Sequence, residues 1–511
     1  MPKWGGSAAS GQFGEPMLTY NRVTNQWNPL TSDASGRVDI VDGGFMTAFG
    51  EKAVASKTPE RQYAFSGDFD PSEWSQTHVS TGTSYNADSQ FTVSTGTNAA
   101  GAATVLSKEL AHYRPGQGII VQFSAAFTTG VANSEQYIGL GDANNGFFFG
   151  YNGTSFGILH KNSGSNSWTT QSNWTENDKL NGGGASGITL TPSYPNVYMI
   201  QAQLHYMGKI AFYIVTSTSR YPQLVHTINW PNVDHSGQNT TIDYGNLPIQ
   251  VHALNSGNTS NVTLSTASAS VFIEGNLRNL GGENALAITR INAVTTEDLV
   301  FQLRNKTTLY SGNTNHTDVI INSISVSTDN NNNLSIIRAR MDTNYDNAAT
   351  WADVDAVRST CEYNMTTAST VDAVVSGTAT ANSTATVISI PNSITNYNQA
   401  DYFNGRYVVI TGGTGAGQSR QILDHVSNGG NDEGDLTVAR WVTAPDNTST
   451  FVITNGAVVK TMTVSNNTSQ TIQFTLDNAL HVPPGRTVSF TLETADTTSS
   501  VCVGINWDEI K

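Results

Sequence analysis

Apolar and polar residues alternate along most of this chain in short runs that end at Gly, Asn, Ser or Pro. Tyr198–Tyr206 reads YMIQAQLHY, and IAFYIV (Ile210–Val215) follows after a turn at Gly208. A period of two puts successive side chains on opposite faces of a strand. Similar runs occur at Ile119–Ala125, Leu224–Ile228, Ile249–Leu254, Val262–Leu264 and Ser270–Ile273. The densest stretch, GLGDANNGFFFGYNGTSFGILH (Gly139–His160), predicts three strands folded back on one another: Tyr137–Leu140, Phe147–Phe149 and Thr154–Leu159. Gly141–Gly146 is the first turn. Asn152-Gly153 suits a type I′ turn with positive φ at both central positions. So compact a meander cannot bury its aromatic face alone and requires a second sheet. Roughly ten strands between residues 63 and 275 predict one large antiparallel sandwich, jelly-roll or lectin-like.

After a linker-like segment, NLRNLGGEN (Asn276–Asn284), the alternation resumes at Leu299–Arg304, Val319–Ser327 and Leu334–Met341. It breaks near Val371 and returns at Val458–Val464, Thr471–Leu476, Val488–Glu493 and Val501–Trp507. Between these halves lie Ala385–Ile390, Tyr407–Thr411, Gln418–Asp424, Asp435–Val438 and Thr450–Ile453, which read as a small β-unit of their own. The predicted organisation is therefore a sandwich at 63–275, a second at 285–373 plus 455–511, and a small β-domain inserted at 374–454. Three domains in series is the other arrangement the text allows. Residues 1–62 hold no sustained period and read as an extended arm or docking segment.

Composition agrees with an all-β, multidomain class. Only 13% of the 511 residues are charged, with 46 glycines and many Ser, Thr and Asn. These residues disfavour helix interiors, whereas Thr and Val suit a pleated sheet. The net charge of −15, without a basic run, excludes phosphate-neutralising nucleic-acid binding and adhesion to anionic membrane. Cys361 and Cys502 are too few for a disulfide framework. The N-terminal MPKWGGSAASGQFGEP lacks the apolar core of a signal peptide, and no apolar run reaches 18 residues, so cytoplasmic synthesis is expected.

Candidate chemistry is sparse. Gly412–Ser419 (GGTGAGQS) nearly spells a phosphate-binding loop, but Gln418 replaces the lysine and a strand follows where a helix is required. Asp342, Asn344, Asp346 and Asp353 imitate the spacing of an EF-hand loop, with Asn347 where the turn calls for Gly. Glycoside cleavage needs two carboxylates across a groove; Asp68, Asp70 and Glu73, or Asp432, Glu433 and Asp435, are the groups available, in loops where carboxylates are usually solvated. The ten histidines show no zinc spacing, and no cofactor is expected. Tyr151, Trp168, Trp174, Tyr194 and Trp230 fall in or beside loops of the large sandwich. Such rings either stack on sugar faces or pack at sandwich ends and subunit interfaces, and the second role carries more weight.

Six segments carry a resemblance to structural proteins of tailed bacteriophages. LHVPPGRTVSFTLETADTTSSVCVGINWDEI resembles the closing strands, and RNKTTLYSGNTNHTDVIINSISVS the opening, of a β-sandwich recurrent in those particles. YFNGRYVVITGGTGAGQSRQILDH resembles a small module of phage tail and fibre proteins. GFFFGYNGTSFGILHKNSG with VYMIQAQLHYMGKIAFYIV and LVHTINWPN is similar to a domain of phage and large-virus virion proteins. The resemblance covers most of residues 48–511. It implies a non-enzymatic virion component, displayed on head, neck or tail as a decoration or fibre-like protein. Its implied partners are other virion proteins, contacted through the N-terminal arm, and further copies of itself. A carbohydrate-binding adhesin that recognises host surface glycans is the alternative, and a depolymerase using Glu73 or Asp435 is a third reading.

Overall fold

The computed structural model describes residues 18–21, 26–29 and 57–510, with breaks at 68, 185, 203–207, 217–221, 234–236, 238–239, 276–281, 291–296, 330–333, 343–349, 366–373, 455, 466–467, 476–478 and 495–499. Residues 1–46 form one compact unit and 47–511 another. In the first, Leu18–Asn21 pairs with Gln26–Pro29 as an antiparallel hairpin; the rest of the expected docking arm up to residue 56 lies outside the described residues.

The second unit is all-β, and its paired strands are antiparallel. Its first sandwich faces a seven-stranded sheet against a nine-stranded one. The seven-stranded order is Ser165–Thr170, Ser155–Asn162, Gly146–Asn152, Ser134–Gly141, Ile249–Asn255, Ala102–Ser107 and Trp74–Val79. Phe147, Phe149, Ile138, Leu140 and Ile158 point into the core, where Phe149 meets Tyr198 at 4.9 Å and Phe212 at 5.5 Å between ring centroids. Burying such rings contributes several kcal/mol each.

The central hairpin turns one residue later than the sequence suggests. Asn152 pairs with Ser155, so Gly153 and Thr154 form the loop, and Gly153 alone has positive φ, +58°. This register keeps Tyr151 opposite Phe156 and Phe149 opposite Ile158, all facing the core. A one-residue slip would turn every one of them outward. Packing decides the turn here over dipeptide preference. Gly139 is also required: a Cβ there would lie 2.1 Å from the Phe147 carbonyl oxygen.

The second sandwich joins a five-stranded sheet, built on Asp318–Asp329 and Ser500–Ile510, to a six-stranded sheet containing Asp298–Asn305, Thr487–Thr494 and Ser335–Met341. Its core runs from Ile288 to Trp507 and omits residues 365–458. Those residues include a six-stranded sheet between Val375–Thr378 and Thr450–Thr454, with its own core around Phe403, Ile410, Leu436 and Trp441. Cys361 and Cys502 are free thiols on different sheets of the second sandwich.

Buried polar contacts tie the three modules together. Asp342 receives Arg486 Nε at 2.8 Å and Nη2 at 2.7 Å, Lys108 Nζ at 3.3 Å and the Tyr407 hydroxyl at 2.5 Å. One carboxylate thus binds groups from the first sandwich, the second and the insert. Arg486 Nη2 also donates to the Ser72 carbonyl at 3.2 Å, and Arg420 Nη2 of the insert to the Ser84 carbonyl at 3.3 Å. Charges this buried are stable only when paired and hydrogen-bonded. These three cores form one body.

Candidate functional site

A cleft of about 660 Å³ lies between the first and second sandwiches. Two short turns of the second sandwich raise one wall. In TTLYSGNT (Thr307–Thr314), Leu309 N–H donates to the Asn313 carbonyl at 2.8 Å and Gly312 takes φ +83°. This fixed tip leaves Tyr310 85% exposed. The neighbouring turn is closed by Asp355 Oδ1, which accepts from Val357 N–H at 2.9 Å and Arg358 N–H at 3.0 Å, an Asx turn. It holds Val357 90% exposed beside Arg358. An apolar and an aromatic side chain held in water by braced turns are unusual for core-building residues and suit recognition.

The opposite wall belongs to the first sandwich. The Tyr244 ring lies on the His316 ring, 3.4 Å between centroids and 13° between planes. Tyr244 Oη donates to Asp142 Oδ2 at 2.5 Å; burial and that carboxylate push the Tyr244 hydroxyl pKa up, so it remains protonated. Burial lowers the His316 pKa against the pull of Asp142 and Asp243, leaving the stacked imidazole neutral near pH 7. Asn246 closes the floor, donating to the His316 carbonyl at 2.9 Å and the Ile510 carbonyl at 3.2 Å while accepting from Tyr113 N–H at 3.0 Å. Asp243 is the one carboxylate among the described lining residues; it accepts the Ser163 hydroxyl at 2.6 Å.

The aromatic residues singled out in the sequence divide sharply. Trp174, Tyr151 and Trp230 are 1%, 8% and 8% exposed, and none presents a face for stacking on sugar. Trp174, just after the turn Gln171–Asn173, and Tyr151, on the strand Gly146–Asn152, belong to the sandwich core, and Trp230 packs edge-on against His160. Trp168 is half-buried on the outer face of the seven-stranded sheet, against Tyr137, Phe148 and Leu159. Lys161 crosses that cluster, donating to Tyr137 Oη at 2.8 Å, with its pKa lowered to about 8 by burial. Tyr194 is 67% exposed over a separate groove of about 450 Å³ lined by Leu190, Pro195 and Val215.

Two of the four EF-hand-like positions, Asp342 and Asp353, fall among the described residues. Asn344 and Asp346 lie outside the described residues, Asp342 is engaged at the three-module joint, and Asp353 pairs with Lys306 at 2.5 Å. Both described carboxylates already have cationic partners from the protein. The remaining acidic groups brace turns: Asp70 accepts from Ser72 N–H at 2.8 Å, and Asp432 receives the Tyr397 hydroxyl at 2.5 Å. Asp435 accepts from Ser389 at 2.6 Å and Asn428 at 2.9 Å, and Glu433 from Asn382 at 2.9 Å. Burial, with Asp70 and Glu109 adding to it, pushes the Glu73 pKa up; Asp68 lies outside the described residues. Gly412–Ser419 is a hairpin loop between strands. Gln418 is spent on the Gly415 and Thr443 carbonyls at 2.9 Å each.

Comparison with solved structures gives overlaps over about two fifths of the chain. A structure described with endo-acting O-glycanases of the human gut microbiota that initiate mucin breakdown aligns at 11% identity over 43% of this chain and 100% of its own, with a TM-score of 0.31. A glycosyl hydrolase family 16 protein from Mycobacterium smegmatis aligns at 11% identity over 42% and 100%, TM-score 0.27. The carbohydrate recognition domain of Emp46p aligns at 8% identity over 43% and 97%, TM-score 0.27. No family model and no curated protein matches the chain.

Proposed function

We propose that this chain is a non-catalytic adhesive protein of a tailed-phage particle, displayed on its exterior and binding host-surface glycan in the cleft between its first two sandwiches. The cleft carries the reading. Tyr310 and the Tyr244–His316 pair offer ring surface for the apolar face of a sugar, while Asp243, Arg358 and Ser311 supply polar groups at its rim. Rings on braced turns bury area at small entropic cost. A single carboxylate at the lining favours binding over hydrolysis, which uses two flanking the scissile bond. The particle setting rests on the six resembling segments, and buried joints between modules suit a protein that transmits load from an anchored to an exposed end.

Two experiments separate the parts of this reading. A glycan array probed with the full chain should show binding that Tyr310→Ala abolishes; equal binding by both proteins would remove the cleft from the account. Immunogold labelling of intact particles with antibody to residues 63–275 should decorate head, neck or tail regularly. Bare particles would sink the virion setting and leave the adhesin alone.

A further inference from the structure

Behind the floor of the cleft, His112 of the first sandwich meets the second. Its Nδ1 lies 2.7 Å from Glu60 Oε1 and its Nε2 2.5 Å from Asp318 Oδ2. His112 and Asp318 side chains are fully buried, and Glu60 is nearly so. Ionised carboxylates accept hydrogen bonds and cannot donate them. Both contacts are therefore hydrogen bonds only when both ring nitrogens carry protons. His481 Nδ1 reaches the same Asp318 oxygen at 2.9 Å, with its ring 5.4 Å from that of His112. Asp318 Oδ1 accepts from Val319 N–H at 2.9 Å.

The surrounding charges agree. Arg114 Nη2 lies 3.6 Å from Glu60, and Arg61 Nε 2.9 Å from Glu109; Arg61 also acts on Glu60 and Asp318. Glu60, Glu109 and Asp318 are thus matched by Arg61, Arg114 and one further positive charge, which a doubly protonated His112 provides. Two imidazoles and a carboxylate also suggest a metal. Ligands bonded to zinc at about 2.0–2.1 Å in a tetrahedron lie roughly 3.3 Å apart, whereas the separations of 2.5 and 2.9 Å are hydrogen-bond lengths. With two arginines already present, a dication would also overshoot the charge.

We infer that His112 is an imidazolium clamp, donating one N–H to a carboxylate of each sandwich, and that the joint beneath the cleft loosens when the ring loses one of these protons. Tyr113 follows His112 and Thr317 precedes Asp318, and both line the cleft, so the clamp positions both walls. Desolvation lowers the His112 pKa, but Glu60 and Asp318 outweigh it and raise it to about 9. Stability from the clamp is complete below the ordinary histidine pKa near 6.5. It declines as pH rises and is gone above about 9. Glu60 and Asp318 are held below their usual range, so their part is lost only in acid. His481 is driven down, chiefly by burial, and remains a neutral donor.

Histidine C2 hydrogen–deuterium exchange, read peptide by peptide on the intact full chain, gives the pKa of each ring directly. His112 should titrate above pH 8 and His481 below 6.5. A His112 midpoint near or below 6.5 would overturn the clamp, as would stoichiometric metal in the purified protein by elemental analysis. His112→Gln supplies the structural readout. Between pH 6.5 and 9.5 the wild type should lose roughly 3–6 °C more in melting temperature than the variant. Equal losses would also refute the inference. Should the variant not fold, the exchange measurement on the wild type still decides.

Discussion

Replacing Arg486 with Met tests whether the three modules are one mechanical body. The substitution removes two charge-assisted hydrogen bonds to Asp342, at 2.8 and 2.7 Å, and one to the Ser72 carbonyl at 3.2 Å. Asp342 has 6% side-chain exposure and keeps only Lys108 at 3.3 Å and the Tyr407 hydroxyl. Removing one partner of a buried pair costs about 3–5 kcal/mol, because the remaining charge stays desolvated. The Asp342 pKa is depressed, with burial opposing and Arg486 and Lys108 prevailing. Its stabilisation is therefore present above its unfolded value near 3.8 and lost as pH falls through the lower folded value. In Arg486→Met the Asp342 pKa should be less depressed, so the acid limb of the stability curve should become shallower. Adding Asp342→Leu should recover about 1–2 kcal/mol, since Lys108, already lowered to about 8 by burial, can shed its proton.

Guanidinium unfolding followed by tryptophan fluorescence is the assay. Trp174, Trp507 and Trp441 are buried in the first, second and inserted cores, respectively. Proteins retaining only one of them report the modules separately. The wild-type transitions should coincide, and those of Arg486→Met should separate. Coincident transitions with a loss under about 1 kcal/mol would refute a stabilising role for the joint.

Phe149→Ala should cost about 3–5 kcal/mol, read as a midpoint shift, because its ring contacts Tyr198, Phe212 and Trp174. Gly139→Ala should reduce soluble yield and melting temperature, since its Cβ meets the Phe147 carbonyl at 2.1 Å; wild-type stability would contradict the assigned register. Iodide should quench single-tryptophan Trp168 protein and leave single-tryptophan Trp174 protein largely unquenched, following their half-buried and buried positions.

Strands rich in Val, Ile and Phe were legible in the sequence because a two-residue period and bulky side chains coincide there. Trp74–Val79, Thr83–Ala87 and Gln90–Ser94 escaped, as polar residues (Ser, Thr, Gln, Asn and His) occupy most of their positions. A sheet accepts such residues when the neighbouring strands supply the core. The cleft escaped for a different reason. Tyr310, Tyr244 and Val357 lie far apart in the chain, and only docking of two sandwiches brings them together. The one local signal was Tyr310 on a Ser-Gly-Asn turn, where a ring serves no core. Expected loop position misled for Trp174 and Tyr151: Trp174 follows a short turn that folds its ring inward, and Tyr151 is on the strand Gly146–Asn152 with its ring on the core face. His112, Asp318 and His481 carry no common spacing and become a group only through the joint.

The most direct measurement is saturation-transfer NMR of the full chain with surface polysaccharide of the host, comparing wild type and Tyr310→Ala at matched melting temperature. The account predicts transfer to sugar protons in the wild type and its loss in the variant. Equal transfer in both proteins, or none with polysaccharide to which the intact particles adsorb, would contradict a glycan site between the sandwiches.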